Sequence, residues 1–273
     1  MRTGPALVVI EFTVMIRFIL LIVSFTAFLG GVVSAQTQAA GAKASIGKVF
    51  AGGGRSAAAK DLQSKLNGGL LKTAVAKSRS VKARPNSRTT TRRSPSAVPA
   101  PPQPSYTDFR PSNNSDFVDR FASAISSNPT EKELIKQVVT TTRTAFEQEV
   151  AKEGRPNNLA AAFTFFVAST VTVYHNDPEP SDKAVNELWD GLNETINSLP
   201  EMEKLTDAEK QEVYEMLVAF GGLVLAGHML ANESGNADAG RIYRQLAGEL
   251  IRTVLQLDPE KIRFNSAGLN VAA

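Results

Sequence analysis

The chain has 273 residues, 42% of them hydrophobic, 21% charged and none of them cysteine. That length allows one or two domains, and the lack of cysteine excludes disulfides, thiolate metal sites and cysteine nucleophiles. The formal charge of +3 conceals two stretches of opposite sign.

From Phe18 to Leu29 twelve residues run without a charge, preceded by Arg17 and followed by Gly30, Gly31 and Val33-Ser34-Ala35. A positive end, a short apolar stretch and small residues before a cut are the three parts of a secretory signal peptide. Residues 1–35 are therefore predicted to be a signal cleaved after Ala35, and the mature protein to be periplasmic or extracellular in a bacterium. Glu11 interrupts the stretch before Met15, which makes Met15 an alternative start. The competing reading is an uncleaved N-terminal membrane anchor, although the apolar run is shorter than the roughly 20 residues of a span. An exported chain without cysteine takes its stability from its core rather than from disulfide staples.

Residues 36–115 are rich in Ala, Gly, Ser, Thr and Pro and read as a disordered linker without a core of its own. They carry fourteen basic residues against Asp61 and Asp108, which leaves the chain from residue 116 onward with a formal charge near −10. Within the linker Lys77, Arg79, Lys82, Arg84, Arg88, Arg92 and Arg93 form the candidate anion-binding tether. Such a segment attracts polyanions by charge and counterion release. Export argues against nucleic acid and for an anionic envelope polymer or membrane surface. Three other roles compete: an extended spacer, a tail folded back on the acidic domain, and a basic amphipathic helix over Ala57 to Val75. That helix would be carried by Leu62, Leu66 and Leu70 and interrupted by Gly68-Gly69.

From Asp116 the apolar spacing is helical, which predicts an acidic all-α domain of six or seven helices over residues 116–264 and a loose tail over 265–273. A short helix carries Phe117, Phe121 and Ile125. The next opens with Thr130 and Glu133 as a capping box and closes at Gly154 and Pro156. Asn157 to Tyr174 has no charged residue and reads as a central core helix, with Thr170 to Val173 equally suited to a strand. Ser181 caps the fourth helix, Thr206 with Glu209 the long fifth, and Ile242, Leu246, Leu250, Val254 and Leu257 mark the last. Asp258-Pro259 opens a final short element through Phe264. Gly221, Gly222 and Gly227 within the fifth helix predict a neighbour at close range. Neither apolar segment is long enough without interruption for a membrane hairpin, and Glu215 and His228 would be costly in lipid.

Asn157 to Phe163, Thr206-Asp207-Ala208-Glu209, the Gly240 to Leu250 helix and Leu257-Asp258-Pro259 together resemble an uncharacterised family of bacterial exported helical domains. The resemblance spans residues 131–264. Its shared positions are caps and packing residues, so it implies a fold and brings no catalytic residue.

Chemistry is sparse. His175 reads as a helix C-terminal residue favoured by the dipole and His228 as a buried or interface histidine bonded to a backbone or carboxylate group, and a metal reading needs both to meet Asp177 and a further carboxylate. Glu187, Asp190 and Glu194 share one helix face, as Glu209, Glu212 and Glu215 do in part. Glu187 with Glu194 is the pair a carboxylate cell-wall hydrolase would use, but acids opposite an apolar stripe are the ordinary look of a solvated face. Gly52-Gly53-Gly54 lacks the rest of a phosphate loop. The leading expectation is a non-enzymatic accessory or binding protein without a cofactor, acting through an envelope or protein partner. The second is a helical bundle whose Phe163, Phe166, Trp189, Met216 and Phe220 line a cavity for a lipid or small apolar ligand. The hydrolase is third.

Overall fold

The computed structural model describes residues 57–82, 105–112 and 115–272. The predicted signal peptide, the alternative start at Met15 and the tether residues Arg84, Arg88, Arg92 and Arg93 lie outside them. Eight α-helices are described: α1 (Ala57–Lys65), α2 (Gly68–Lys82), α3 (Phe117–Ile125), α4 (Pro129–Lys152), α5 (Leu159–His175), α6 (Asp182–Asn197), α7 (Asp207–Glu233) and α8 (Ala237–Leu250). A π turn over Ile251–Leu255 and a 3-10 turn over Pro259–Lys261 lead into a two-stranded antiparallel sheet, β1 (Ile262–Asn265) with β2 (Gly268–Val271), in which Ile262 faces Val271.

The centre is α5 against α7. Fourteen of the seventeen residues of α5 are buried, so α5 has no solvent face, as an uncharged helix should not. Asn158 caps it by accepting from the Ala161 amide, and Asn176 in the left-handed conformation ends it. Packing on every side overrides the β-branched run, which is helical throughout. Against α5 and α7 pack α4, α6 and α8, with α3 on α4.

Two expectations about segments fail. The linker reading is wrong over 57–82, where α1 packs on α7, and α2 on α6 and β2. The apolar stripe of α1 and α2 faces this domain's own core and not a membrane: Ala59, Leu62, Leu66, Leu70, Leu71, Ala74 and Val75 are all buried. The helix breaks at Asn67, whose side chain accepts from the Gly69 amide. Contact between α2 and α6 is backbone-close, since a Cβ on Gly191 would stand 2.2 Å from the Ala74 carbonyl oxygen. Lys65 pairs with Glu201, and Lys77 with Glu194 at 3.3 Å. The alternative in which the basic segment folds back on the acidic domain therefore holds for these residues. The tail reading is wrong too. Residues 268–271 form β2, Leu269 is buried, and its carbonyl accepts from Arg79 at 3.2 Å.

Ser181 caps α6, and Thr206 with Glu209 forms a reciprocal capping box on α7. The box expected at Thr130 does not form, because Asn128 takes the cap position and accepts from the Thr130 and Glu131 amides, with Pro129 in the first turn. Asp258 caps the 3-10 turn, but Ile262–Asn265 beyond it is strand. The last helix does not run on to Leu257: it passes into the π turn, which Gln256 ends at φ 53°. The glycines of α7 do meet neighbours, with Gly222 against Thr142 and Gly227 against the Tyr243 ring. By length and composition α7 is the one described helix able to cross a membrane, yet 78% of its apolar window is buried inside the domain.

Candidate binding cleft

The end of α4 and the start of α5 are joined by residues 153–158. Gly154 (φ 73°) and Asn157 (φ 51°) turn the chain there in the left-handed region. Arg155 lies between them and is fixed by its amide, which donates to the Val150 carbonyl at 2.7 Å. Its guanidinium stacks on the Trp189 ring of α6, 3.7 Å from the centroid, and pairs with Glu153 at 3.2 Å. Burial pushes the Arg155 guanidinium below its ordinary range, and burial raises the Glu153 and Asp190 carboxyls, with Arg155 opposing the rise in both.

Arg155 and Trp189 also line a cleft of about 30 Å³, together with Phe146, Glu149, Val150 and Phe165. Glu149 is 5% exposed. Its Oε2 accepts from Lys152 at 2.8 Å, while its Oε1 and the Trp189 indole N–H are shielded from solvent and have no partner. A buried polar atom without a partner costs about 1–3 kcal/mol, so each of the two lowers the stability of the fold.

Of the five aromatic and Met residues expected to line an apolar cavity, only Trp189 reaches this cleft. Phe163, Phe166, Met216 and Phe220 are buried in the continuous core, where Phe163 stacks with Phe166 and Phe220 packs edge-on against Phe121. The structure does not bring the five together, because Trp189 lies on the partly exposed side of α6. Tether residues Lys77 and Arg79 are held in the domain by Glu194 and the Leu269 carbonyl, and Lys82 ends α2.

Of the acids considered for a hydrolase site, four have other employment. Glu194 holds Lys77, Glu209 caps α7, Glu212 accepts from Arg120 at 3.3 Å and Glu215 from Arg143 at 3.1 Å. His175 Nε2 bonds the Ile262 carbonyl at 2.8 Å, and Asp177 takes Arg263 through two bonds of 2.8 and 2.7 Å. Among the described residues no three His, Asp or Glu side chains are grouped to hold a metal ion.

His228 is 7% exposed, bonds Asn232 at 3.1 Å, and is pushed below its ordinary range by burial first and then by the Arg244 charge. The folded protein thus resists protonating a group that titrates near 6.5 when unfolded. Stability from this source is complete above about pH 6.5 and is lost as the pH falls below it. Urea midpoints measured from pH 7.5 to 5 are expected to fall more steeply for the wild-type chain than for His228→Gln. Parallel curves would remove His228 from the acid response.

Sequence reasoning missed a strap. Residues 105–112 cross the end of the bundle, where Leu159 N–H donates to the Thr107 carbonyl and Phe109 N–H to the Asn157 carbonyl. The Asn158 amide donates to Thr107 Oγ1 at 3.0 Å and to Asp108 Oδ1 at 2.7 Å, and Asn197 Oδ1 accepts from the Tyr106 and Thr107 amides. Phe109 then enters the core, edge-on to Tyr214. Asn157-Asn158-Leu159 is therefore both a helix start and the strap's anchor.

These features define an all-helical domain closed by its own N-terminal helices and a strap. The chain belongs to DUF6683, a family of unknown function, whose model matches residues 21–272. The match is wider than the 131–264 expected from the caps and takes in α1, α2 and the strap. No curated protein and no solved structure matches the chain.

Proposed function

We propose that this is an exported, non-enzymatic binding or accessory protein that associates with anionic envelope polymers or membrane surface through Arg84, Arg88, Arg92 and Arg93. The supporting observation is a division of charge. Lys65 and Lys77 are taken up by Glu201 and Glu194 of the folded domain, whereas residues 83–104 carry four arginines and no acidic residue. A cluster of that kind binds polyanions in a salt-dependent way. The apolar run from Phe18 to Leu29 and the small residues before Gln36 support export. Of the two acids paired for hydrolysis, Glu194 is taken up by Lys77, which supports a binding role.

Replacing the four arginines with glutamine keeps chain length and tests the tether alone. The substituted protein is expected to leave isolated envelopes at much lower salt than the wild type, with an unchanged melting temperature. Equal salt profiles would end the proposal. N-terminal sequencing of the mature protein is expected to begin at Gln36, and an unprocessed, detergent-requiring protein would replace export with anchoring.

A further inference from the structure

His228 on α7 is buried, and its two ring nitrogens are unequally served. Nε2 meets the Asn232 amide at 3.1 Å, whereas Nδ1 is shielded from solvent and has no partner among the described residues. The neutral ring carries one donor and one acceptor, but an imidazolium carries two donors. Asn232 can accept from only one of them, so whichever tautomer is protonated, the Nδ1 proton stands in a buried place with no acceptor. Across from it α8 brings Tyr243, whose ring lies on Gly227, and Arg244, whose charge has the same sign as an imidazolium. Among the described residues no carboxylate offsets that charge at His228. The chain's other histidine, His175, faces the Ile262 carbonyl, an acceptor that suits a charged ring.

A buried group that must reach water to take a proton opens the fold where opening costs least. That place is adjacent to His228. Residues 232–235, 237 and 238, at the corner between α7 and α8, are exposed. In α8 only Gly240 is buried before Ala247, Gly248 and Leu250 anchor its end. The first part of α8 therefore has little to hold it once the imidazole is charged, while its last turn and the π turn remain packed. We propose that the α7–α8 corner is an acid-operated switch, in which proton uptake by His228 lifts residues 237–246 from α7 and uncovers the α7 surface at Gly227. The core around α5 stays closed. The switch is independent of the arginine tether and of export.

Amide hydrogen exchange of the full chain, read by mass spectrometry and corrected for the intrinsic effect of pH on exchange, tests the switch. Between about pH 7.5 and 5.5 the amides of residues 228–246 are expected to lose protection by up to roughly tenfold, the limit for one proton taken up on opening by a histidine of ordinary pKa. Amides of α5 should keep theirs. His228→Gln retains a donor and an acceptor but cannot charge, so its corner should be equally protected at both pH values. Arg244→Gln removes the like charge from a half-buried position, so it should lose less protection than the wild type, and it serves if His228→Gln is poorly folded. Unchanged protection of the corner in the wild type would overturn the proposal. So would an equal loss across α5, or a loss in the two variants as large as in the wild type.

Discussion

A chain cut to residues 105–273 is expected to be unfolded, although it contains six of the eight described helices. Four leucines of the missing part, Leu62, Leu66, Leu70 and Leu71, are at most 8% exposed and lie in the single continuous core. Truncating a buried leucine to alanine costs about 2–5 kcal/mol, and removing α1 and α2 takes away four such side chains together with Ala59, Ala74 and Val75. The net stability of a domain is only about 5–15 kcal/mol, so the loss meets or exceeds it. Circular dichroism and gel filtration of the shortened chain should show low helicity or aggregation. Adding a peptide of residues 57–82 should restore helicity and a cooperative melt. Within the whole chain, Leu71→Ala alone should lower stability by about 2–5 kcal/mol in urea. A stable, monomeric 105–273 fragment would mean that α1 and α2 decorate the fold and do not complete it.

That dependence explains what sequence could and could not disclose. Caps are local: Ser181, Thr206 with Glu209, and Asp258 each act within three residues, and their spacing is readable without tertiary knowledge. Asn128 won over Thr130 because two competent caps stood side by side and Pro129 favours the first helical turn. The core helices α5 and α7 were legible because their apolar residues are large and dense. In α1 and α2 the buried face is built of Leu, Ala and Val, while Lys60, Lys72 and Thr73 stand exposed on the outer side. Window composition therefore resembles a solvated tail even though one stripe is buried. Thr107 and Phe109 give no period at all, since a strap is held by side chains distant in sequence, Asn158 and Asn197. Arg155 and Trp189 stand 34 positions apart on separate elements, so their stacking leaves no local trace. The cavity expected from Phe163, Phe166, Met216 and Phe220 had the composition of a site, but such residues serve equally as core, and there they pack against one another and their neighbours.

Replacing Glu215 with alanine is expected to be among the most damaging single substitutions, costing about 2–4 kcal/mol. Glu215 is 5% exposed in the first half of α7. Its Oε1 accepts from Arg143 and Gln211, both at 3.1 Å, and its Oε2 from Ser115 at 2.6 Å. Gln211 in turn clasps the strap by accepting from the Ser112 amide at 2.7 Å and donating to the Ser112 carbonyl at 3.0 Å. Alanine would leave three donors without their acceptor and loosen the strap along with them. Arg143 keeps some solvent contact and a second partner, Glu147 at 3.4 Å, which holds the cost below that of a fully buried pair. Glu215→Gln preserves one acceptor and should lose about half as much. Arg143→Met combined with Glu215→Leu removes both charges and fills the space, so it should be more stable than Glu215→Ala. Urea unfolding of the four proteins would test the order. If Glu215→Ala unfolds within about 0.5 kcal/mol of the wild type, the range of a neutral surface change, then the strap is held by Asn158 and Asn197 and the Glu215 network contributes nothing to it.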